Sequence, residues 1–394
     1  MSPASRIPSW RVARLLMVGA VAAALLVPTS IAVARDGRDR GDSSSVDHVF
    51  VIMLENHSAA NVIDNVDATG HLTAPKITAL AHAYGQATQY FGVTHPSLPN
   101  YVSAISGSNW FVNNDNPANR FDHRNLVDQL DARHISWGAY MESMPAGDKL
   151  TDFSPSSANP LYVSKHNPFV LFNDIRTDPA RMANVKPYTD LVADLDSKHA
   201  PQFVWITPNQ CHDLHGGVGA VDPTGADGTP CPFGITSPTQ DAKDLAFIKS
   251  ADDWTSAAVT TIMSSKAWTG NSAIFILTDE NDFVAANTGI DQWETADGCC
   301  DSPVLPNGYA FIGSHGTPDG NVLACPGGAT SCTYGGGLVP AIVIARRGVR
   351  HYTSAHPYNH FSLLRTIEQA WHLGYLGNAS DSVQVHSMAE FLGH

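Results

Sequence analysis

Three apolar stretches of strand length each end in a cluster of carboxylates, amides and imidazoles. His48 to Leu54 is followed by Glu55-Asn56-His57-Ser58, and Phe203 to Thr207 by Pro208-Asn209-Gln210-Cys211-His212-Asp213-Leu214-His215. The third, Ala273 to Thr278, is followed by Asp279-Glu280-Asn281-Asp282. In an open parallel sheet ligands bind beyond the carboxyl ends of the strands, so these tails would meet at one edge. Carboxylate and amide oxygens suit hard divalent cations and imidazole suits zinc and its neighbours, so the edge could hold one or two metal ions. A single such tail is as easily a turn or a helix cap. Three together would crowd mutually repelling carboxylates, which a cation relieves.

Between the first two tails lies Thr94-His95-Pro96-Ser97-Leu98-Pro99-Asn100-Tyr101. Ser97 precedes Pro99 and the apolar run Tyr101 to Ile105, which puts it at the N-cap of a short helix. From position alone two roles are open. The hydroxyl either caps the helix, or, backed by free backbone N–H groups, faces a phosphate as a nucleophile. The sequence has no G-x-S-x-G elbow, which disfavours an α/β-hydrolase type of acyl transfer, and no P-loop, dinucleotide fingerprint or H-E-x-x-H.

The elements that would carry these residues alternate. Strand-length runs at His48 to Leu54, Ile135 to Met141, Phe203 to Thr207, Ala273 to Asp279 and Leu338 to Ala345 are interleaved with amphipathic stretches. Helices are expected over Pro75 to Tyr84, Asn125 to His134, Tyr188 to Ser197, about Ala242 to Trp268, and Phe361 to Leu373. The alternation predicts an α/β fold with a mostly parallel central sheet and helices on both faces. Gly216 to Thr239 and Val284 to Gly337 are rich in Gly, Pro, Asp and Asn and are expected to be long loops.

Composition bounds the rest. The 394 residues carry 23 Lys and Arg against 37 Asp and Glu, a formal charge of −14, with no basic cluster to follow a phosphate backbone. Nucleic-acid binding is therefore not expected. Arg6, Arg11 and Arg14, the apolar run Leu15 to Val27 and the small residues Ala32-Val33-Ala34 form a secretory signal over residues 1–34, too short in its apolar part to span a bilayer. A flexible leader over 35–45 and one catalytic domain over 46–394 would follow, in a secreted protein with no stable membrane span after cleavage. The six cysteines, Cys211, Cys231, Cys299, Cys300, Cys325 and Cys332, suit an oxidising compartment, and no C-x-x-C favours zinc instead. Cys325 and Cys332 are the easiest local pair. Adjacent Cys299 and Cys300 are expected to reach other partners, because a bond between neighbours is strained.

Taken together, Glu55-Asn56-His57-Ser58, the T-H-P-S-x-P-N-Y string from Thr94 to Tyr101, Asp279-Glu280-Asn281-Asp282 and Tyr358-Asn359-His360 with the helix running to Glu368 resemble the phosphoesterase family. That family holds bacterial phospholipases C and bacterial and secreted fungal acid phosphatases, within the alkaline phosphatase-like superfamily. The likeness runs from about Val46 to Leu376. It implies an alkaline phosphatase-like fold and metal-dependent phosphoryl transfer through a phosphoseryl intermediate. By the family's pattern Ser97 corresponds to the nucleophile and a metal ligand, and Glu55, Asn56, Asp279 and Glu280 to further metal ligands. His212, His215 and His360 correspond to active-site histidines that contact phosphate or protonate the leaving group, with His95 and Asn114 as weaker candidates. The implied cofactor is a divalent ion, Ca, Mg, Mn or Zn. Asn209 and Cys211 stand where wider relatives carry a metal-binding carboxylate, which leaves a complete second metal site in question.

The expected substrate is a small phosphomonoester, with a phospholipid head group as the alternative. Phospholipase C relatives usually carry additional C-terminal domains, whereas this chain ends soon after Leu376. Competing readings are a secreted binding protein that retains the fold without turnover, and a serine esterase. Protonated imidazoles would favour acidic to neutral operation. Of the 18 histidines, His123, His134, His166 and His199 are expected on the surface or in turns. Trp205, Trp254, Trp268 and Trp371 are expected in the core. Asn56 and Asn378 match the glycosylation sequon, and the first, inside the expected metal site, is read as chance.

Overall fold

β1 (Val49–Leu54) is apolar at every position, and all six residues are buried. Such a strand needs cover on both faces. A computed structural model describes residues 46–216, 242–282, 296–312, 318–323, 325 and 328–393. The expected signal (1–34), the leader (35–45), most of the first long loop with Cys231, and parts of the second lie outside the described residues.

Among the described residues, eight strands form the main sheet. They are β1, β2 (Gly85–Ala87), β3 (Trp137–Met141), β4 (Val185–Pro187), β5 (Phe203–Thr207), β6 (Ala273–Thr278), β7 (Ala341–Ala345) and β8 (Tyr352–Ser354). Their order is β8-β2-β7-β6-β1-β5-β3-β4. Only β7 runs against the others, pairing antiparallel with both β6 and β2. The mostly parallel α/β expectation holds.

Side chains alternate across the sheet and supply two cores. Val49, Val51 and Met53 face one cluster, which includes Leu98, Tyr101, Val102 and Ile105 of α2 (Ser97–Ser106) and Leu363, Leu364 and Ile367 of α5 (His360–Ala370). Phe50, Ile52 and Leu54 face the other, with Ile77 and Ala81 of α1 (Pro75–Ala83) and Ile248, Ala251, Val259 and Ile262 of α4 (Ala242–Ser264). The helix α3 (Leu126–Ala132) starts at an Asn125–Asp128 capping box. Among the described residues no helix is long and apolar enough to cross a membrane.

Register sets the site. Leu54 pairs with Thr278 across β1 and β6, and Ile52 with Ile206 across β1 and β5. Glu55-Asn56, Asp279-Glu280 and the tail of β5 therefore leave the sheet side by side.

The disulfides correct one expectation. Cys325 bonds Cys332 as expected, but Cys299 and Cys300 bond each other. Their carbonyls accept from Asn359 Nδ2 at 3.1 and 3.0 Å, which fixes the turn against the start of α5. Cys211 is also disulfide-bonded, with its partner outside the described residues.

Glu368 of α5 is fully buried and accepts from the Leu376 amide at 2.9 Å. Burial pushes its carboxyl up from 4.5 to about 8. Below pH ~4.5 folded and unfolded chains both hold the proton; between ~4.5 and ~8 only the folded chain does, so rising pH costs stability. Glu368→Gln keeps the acceptor oxygen and removes the titration. Between pH 5 and pH 8 the variant is expected to lose about 3 kcal/mol less stability than the wild type in urea titrations. Equal losses would show that Glu368 is ionised in the native protein.

Candidate active site

Ser97 is the first residue of α2, with Pro96 at the cap position, so the sequence reading was one residue off. All ten residues of α2 are buried, and Gly107 closes it in the left-handed region at φ 74°. The preceding turn is fastened by Asn100, whose Oδ1 accepts from the Val93 and Thr94 amides at 2.8 and 3.1 Å. Gly92 lets that turn lie against β6's tail: a Cβ there would stand 2.7 Å from the Asp279 carbonyl oxygen. The helix start offers fewer free amides than its position suggested. Leu98 N–H donates to Asp115 Oδ1 at 2.9 Å, and Pro99 has no N–H.

The Ser97 hydroxyl stands 2.9 Å from Glu55 Oε2, 2.9 Å from Glu280 Oε1 and 3.3 Å from Asn56 Oδ1. Asn56 N–H reaches Asp279 Oδ1 at 3.3 Å. The structure thus brings together all five residues expected around a metal: Glu55, Asn56, Ser97, Asp279 and Glu280. One hydroxyl carries one proton and can satisfy one of three acceptors. Oxygens ~3.0 Å apart are what neighbouring ligands of an octahedral ion show at ~2.1 Å bonds. Asp279 Oδ2 is buried with no hydrogen-bond partner. The donor set is oxygen throughout, so the residues fit a hard divalent cation. Among the described residues no three His, Cys, Asp or Glu side chains form a cage by themselves; here hydroxyl and amide oxygens complete the convergence.

Electrostatics points the same way. Glu55, Asp213, Asp279 and Glu280 are all essentially inaccessible to solvent. Burial, with repulsion from neighbouring carboxylates adding, raises their carboxyls, Glu55 to about 8. Lys165 opposes this. It pairs with Asp115 at 2.6 Å, and its ammonium is held protonated by Asp115, Glu55 and Glu280 despite burial.

The histidines divide. His215 lies edge-on to His166 at 5.7 Å, beside the carboxylates, and burial drops it to about 3. His360 is fully buried behind the site. Its Nε2 donates to the Asp279 carbonyl at 2.6 Å, so Nδ1 is left to accept from Tyr90 OH at 3.1 Å. Burial lowers it to about 4, and its hydrogen bond braces the Asp279 carbonyl. His212 is held apart by Glu142, with Nδ1 2.9 Å from Oε2, and stacks on Trp254. Asn209 N–H also donates to Glu142. Asn114 turns inward on its own loop, where its Oδ1 accepts from the Asn116 amide and from Asn119 Nδ2.

One reading changes. His166 is buried, with Nε2 3.2 Å from Glu55 Oε1 and its ring stacked on Tyr101, so it belongs to the site and not to the surface. His95, one of the weaker candidates, has Nδ1 against Glu280 Oε2, and burial takes the imidazole down to about 3. Lys165, Asp115, Asp213 and Glu142 were not singled out as site residues. Two of them carried a usable cue: Asp213 lies in the polar tail after β5, and Glu142 directly follows the apolar run that is β3.

Comparison with known proteins finds relatives among phosphatases. Over 157 residues the chain is 35% identical to a phosphate-repressible acid phosphatase of Penicillium chrysogenum, covering 39% of this chain and 37% of that one. It is 29% identical over 212 residues to a phosphatidylinositol-3-phosphatase of Mycobacterium tuberculosis, covering 53% and 66%. The chain thus spans well under half the length of the fungal acid phosphatases it matches. An alkaline phosphatase superfamily protein of Vibrio parahaemolyticus superposes with a TM-score of 0.46 at 10% identity, over 83% of this chain and 67% of that one. The family model for phosphoesterases matches residues 70–374, and the chain belongs to the phosphoesterase family.

Proposed function

We propose that the protein is a secreted, metal-dependent phosphomonoesterase of acid phosphatase type that works through a phosphoseryl intermediate on Ser97. The observation that carries this reading is the Ser97 hydroxyl, set at a helix start among three acceptor oxygens within 3.3 Å. The matches to acid phosphatases support the reaction class, and the N-terminal sequence supports secretion.

Glu55, Asn56, Ser97, Asp279 and Glu280 would hold the cation, which supplies a lowered serine pKa and neutralises phosphate charge. The chain's own residues do the rest. Ser97 Oγ attacks phosphorus and passes its proton to Glu280, while the bond to the leaving oxygen breaks and that oxygen takes up the proton from Glu280. His95 shares Glu280's proton, and Lys165 offsets the carboxylates' charge. His360 and Gly92 keep Asp279 in place. Water then attacks phosphorus and gives a proton to Glu280, the Oγ–phosphorus bond breaks, and Ser97 Oγ takes that proton up.

The test is hydrolysis of an aryl phosphomonoester, its diester and an aryl acetate, each with and without EDTA. Chelator-sensitive turnover of the monoester, at least tenfold above the diester, is expected. Preference for the diester would favour the phospholipase C reading, turnover of the acetate in EDTA a serine esterase, and no turnover a binding protein.

A further inference from the structure

Beside the Ser97 cluster a cavity of about 480 Å³ opens against His95. The imidazole is the partition between them, since it touches Glu280, which accepts from Ser97. Thr94 and His95, which lead into Ser97's helix, both line this space, so it is the cavity next to the Ser97 cluster. The far walls are aromatic. Tyr334 lies 5.9 Å from the His95 ring, Tyr309 accepts from Asn113 Nδ2, and Phe111 stands at the rim with 97% of its surface exposed.

Phe111 is held in that position. It and Trp110 both occupy the left-handed region, at φ 60° and 50°, which bulky side chains rarely adopt. Trp110 anchors the loop by stacking on His123 at 3.5 Å and donating Nε1–H to Ser106 Oγ at 2.9 Å. One aromatic of the pair is fastened and the other is presented to solvent beside the cavity.

The charge is one-sided. Among the described lining residues Asp301 is the only Asp, Glu, Lys or Arg. It follows directly on the Cys299–Cys300 bond, whose carbonyls Asn359 holds. The sequence has no Lys or Arg between Lys266 and Arg346, the stretch that supplies the Asp301, Tyr309 and Tyr334 wall. An anionic leaving group would meet a carboxylate with no compensating cation.

We propose that this cavity receives the leaving group of the phosphate ester, and that Phe111 and Tyr309 select uncharged, ring-bearing leaving groups while Asp301 rejects anionic ones. The inference rests on the phosphomonoesterase reading and goes further by naming the substrate class.

Phenyl phosphate, 4-carboxyphenyl phosphate and glycerol 1-phosphate separate the contributions, because the first two share a ring and differ in charge and the third has no ring. With the cation-loaded enzyme at neutral pH, kcat/KM for phenyl phosphate should exceed that for the carboxyphenyl ester by about tenfold. Phe111→Ala should lower the phenyl-to-glycerol ratio of kcat/KM by about tenfold, and Asp301→Asn should raise the carboxyphenyl-to-phenyl ratio about fivefold. If Phe111→Ala lowers both substrates alike, or Asp301→Asn leaves the charge ratio unmoved, the inference falls while the phosphatase reading stands. If none of the three esters is hydrolysed, both fall.

Discussion

Replacing Ser97 with alanine is expected to lower kcat/KM for an aryl phosphate on the order of 10⁴-fold or more, because it removes the atom that forms the covalent bond. The substitution deletes one oxygen from a fully buried position and leaves α2 intact. Leu98, Tyr101, Val102 and Ile105 still fill the core beside β1, and Asp115 still holds the Leu98 amide. Thermal unfolding should therefore shift by only a few degrees, which separates loss of chemistry from loss of fold. A second readout is independent of rate. Acid-quenching the wild type during turnover should leave phosphate on the peptide containing Ser97, and Ser97→Ala should leave none. If the variant kept a tenth of the activity, water would be the attacking oxygen and the covalent route would be wrong.

Much of this arrangement was legible because β1, β5 and β6 are buried on both faces and so read as unbroken apolar runs, with ends that the sequence places within a residue. Their polar tails could be aligned on paper because parallel neighbours share a carboxyl edge. The short strands β2, β4 and β8, three residues each, carry too few apolar positions to stand out from loops. The reversal of β7 leaves no trace in its composition, since a buried antiparallel strand is as apolar as a parallel one.

In the site, Glu55, Asn56, Asp279 and Glu280 were readable from their place after strands. His166 and Lys165 were not. They lie in a short 3₁₀ turn, Ser164–His166, with no periodic pattern, and reach Glu55 and Asp115 only through the tertiary fold. His360 matched a motif, but its two hydrogen bonds, which make it a brace, depend on Tyr90 and Asp279 arriving from elsewhere. The bond between Cys299 and Cys300 contradicts the rule that neighbours avoid pairing. That rule weighs strain alone, and here Asn359 holds both carbonyls of the turn.

Removing the divalent cation is expected to cost about a thousandfold in activity, the several kcal/mol that such an ion contributes to phosphoryl charge, and the removal itself should depend on pH. The ligand carboxylates are buried together, and Glu55 is pushed to about 8. Without a cation these groups take up protons to escape their own repulsion; with one they are anionic. Cation and proton therefore compete, so affinity should rise with pH up to about 8 and fall below it. Dialysis against chelator at pH 5 should strip the protein more completely than at pH 8, with metal content followed by elemental analysis. The metal-free fold should show the matching sign: its stability should fall from pH ~5 to ~8, as buried carboxyls lose protons that the unfolded chain has already lost, and a saturating cation should reverse the fall. Restoring activity with Ca, Mg, Mn or Zn in turn identifies the ion. Full activity in protein shown to contain less than a tenth of an equivalent of any divalent metal would leave the orphaned Asp279 oxygen and the crowded carboxylates to be explained by shared protons alone.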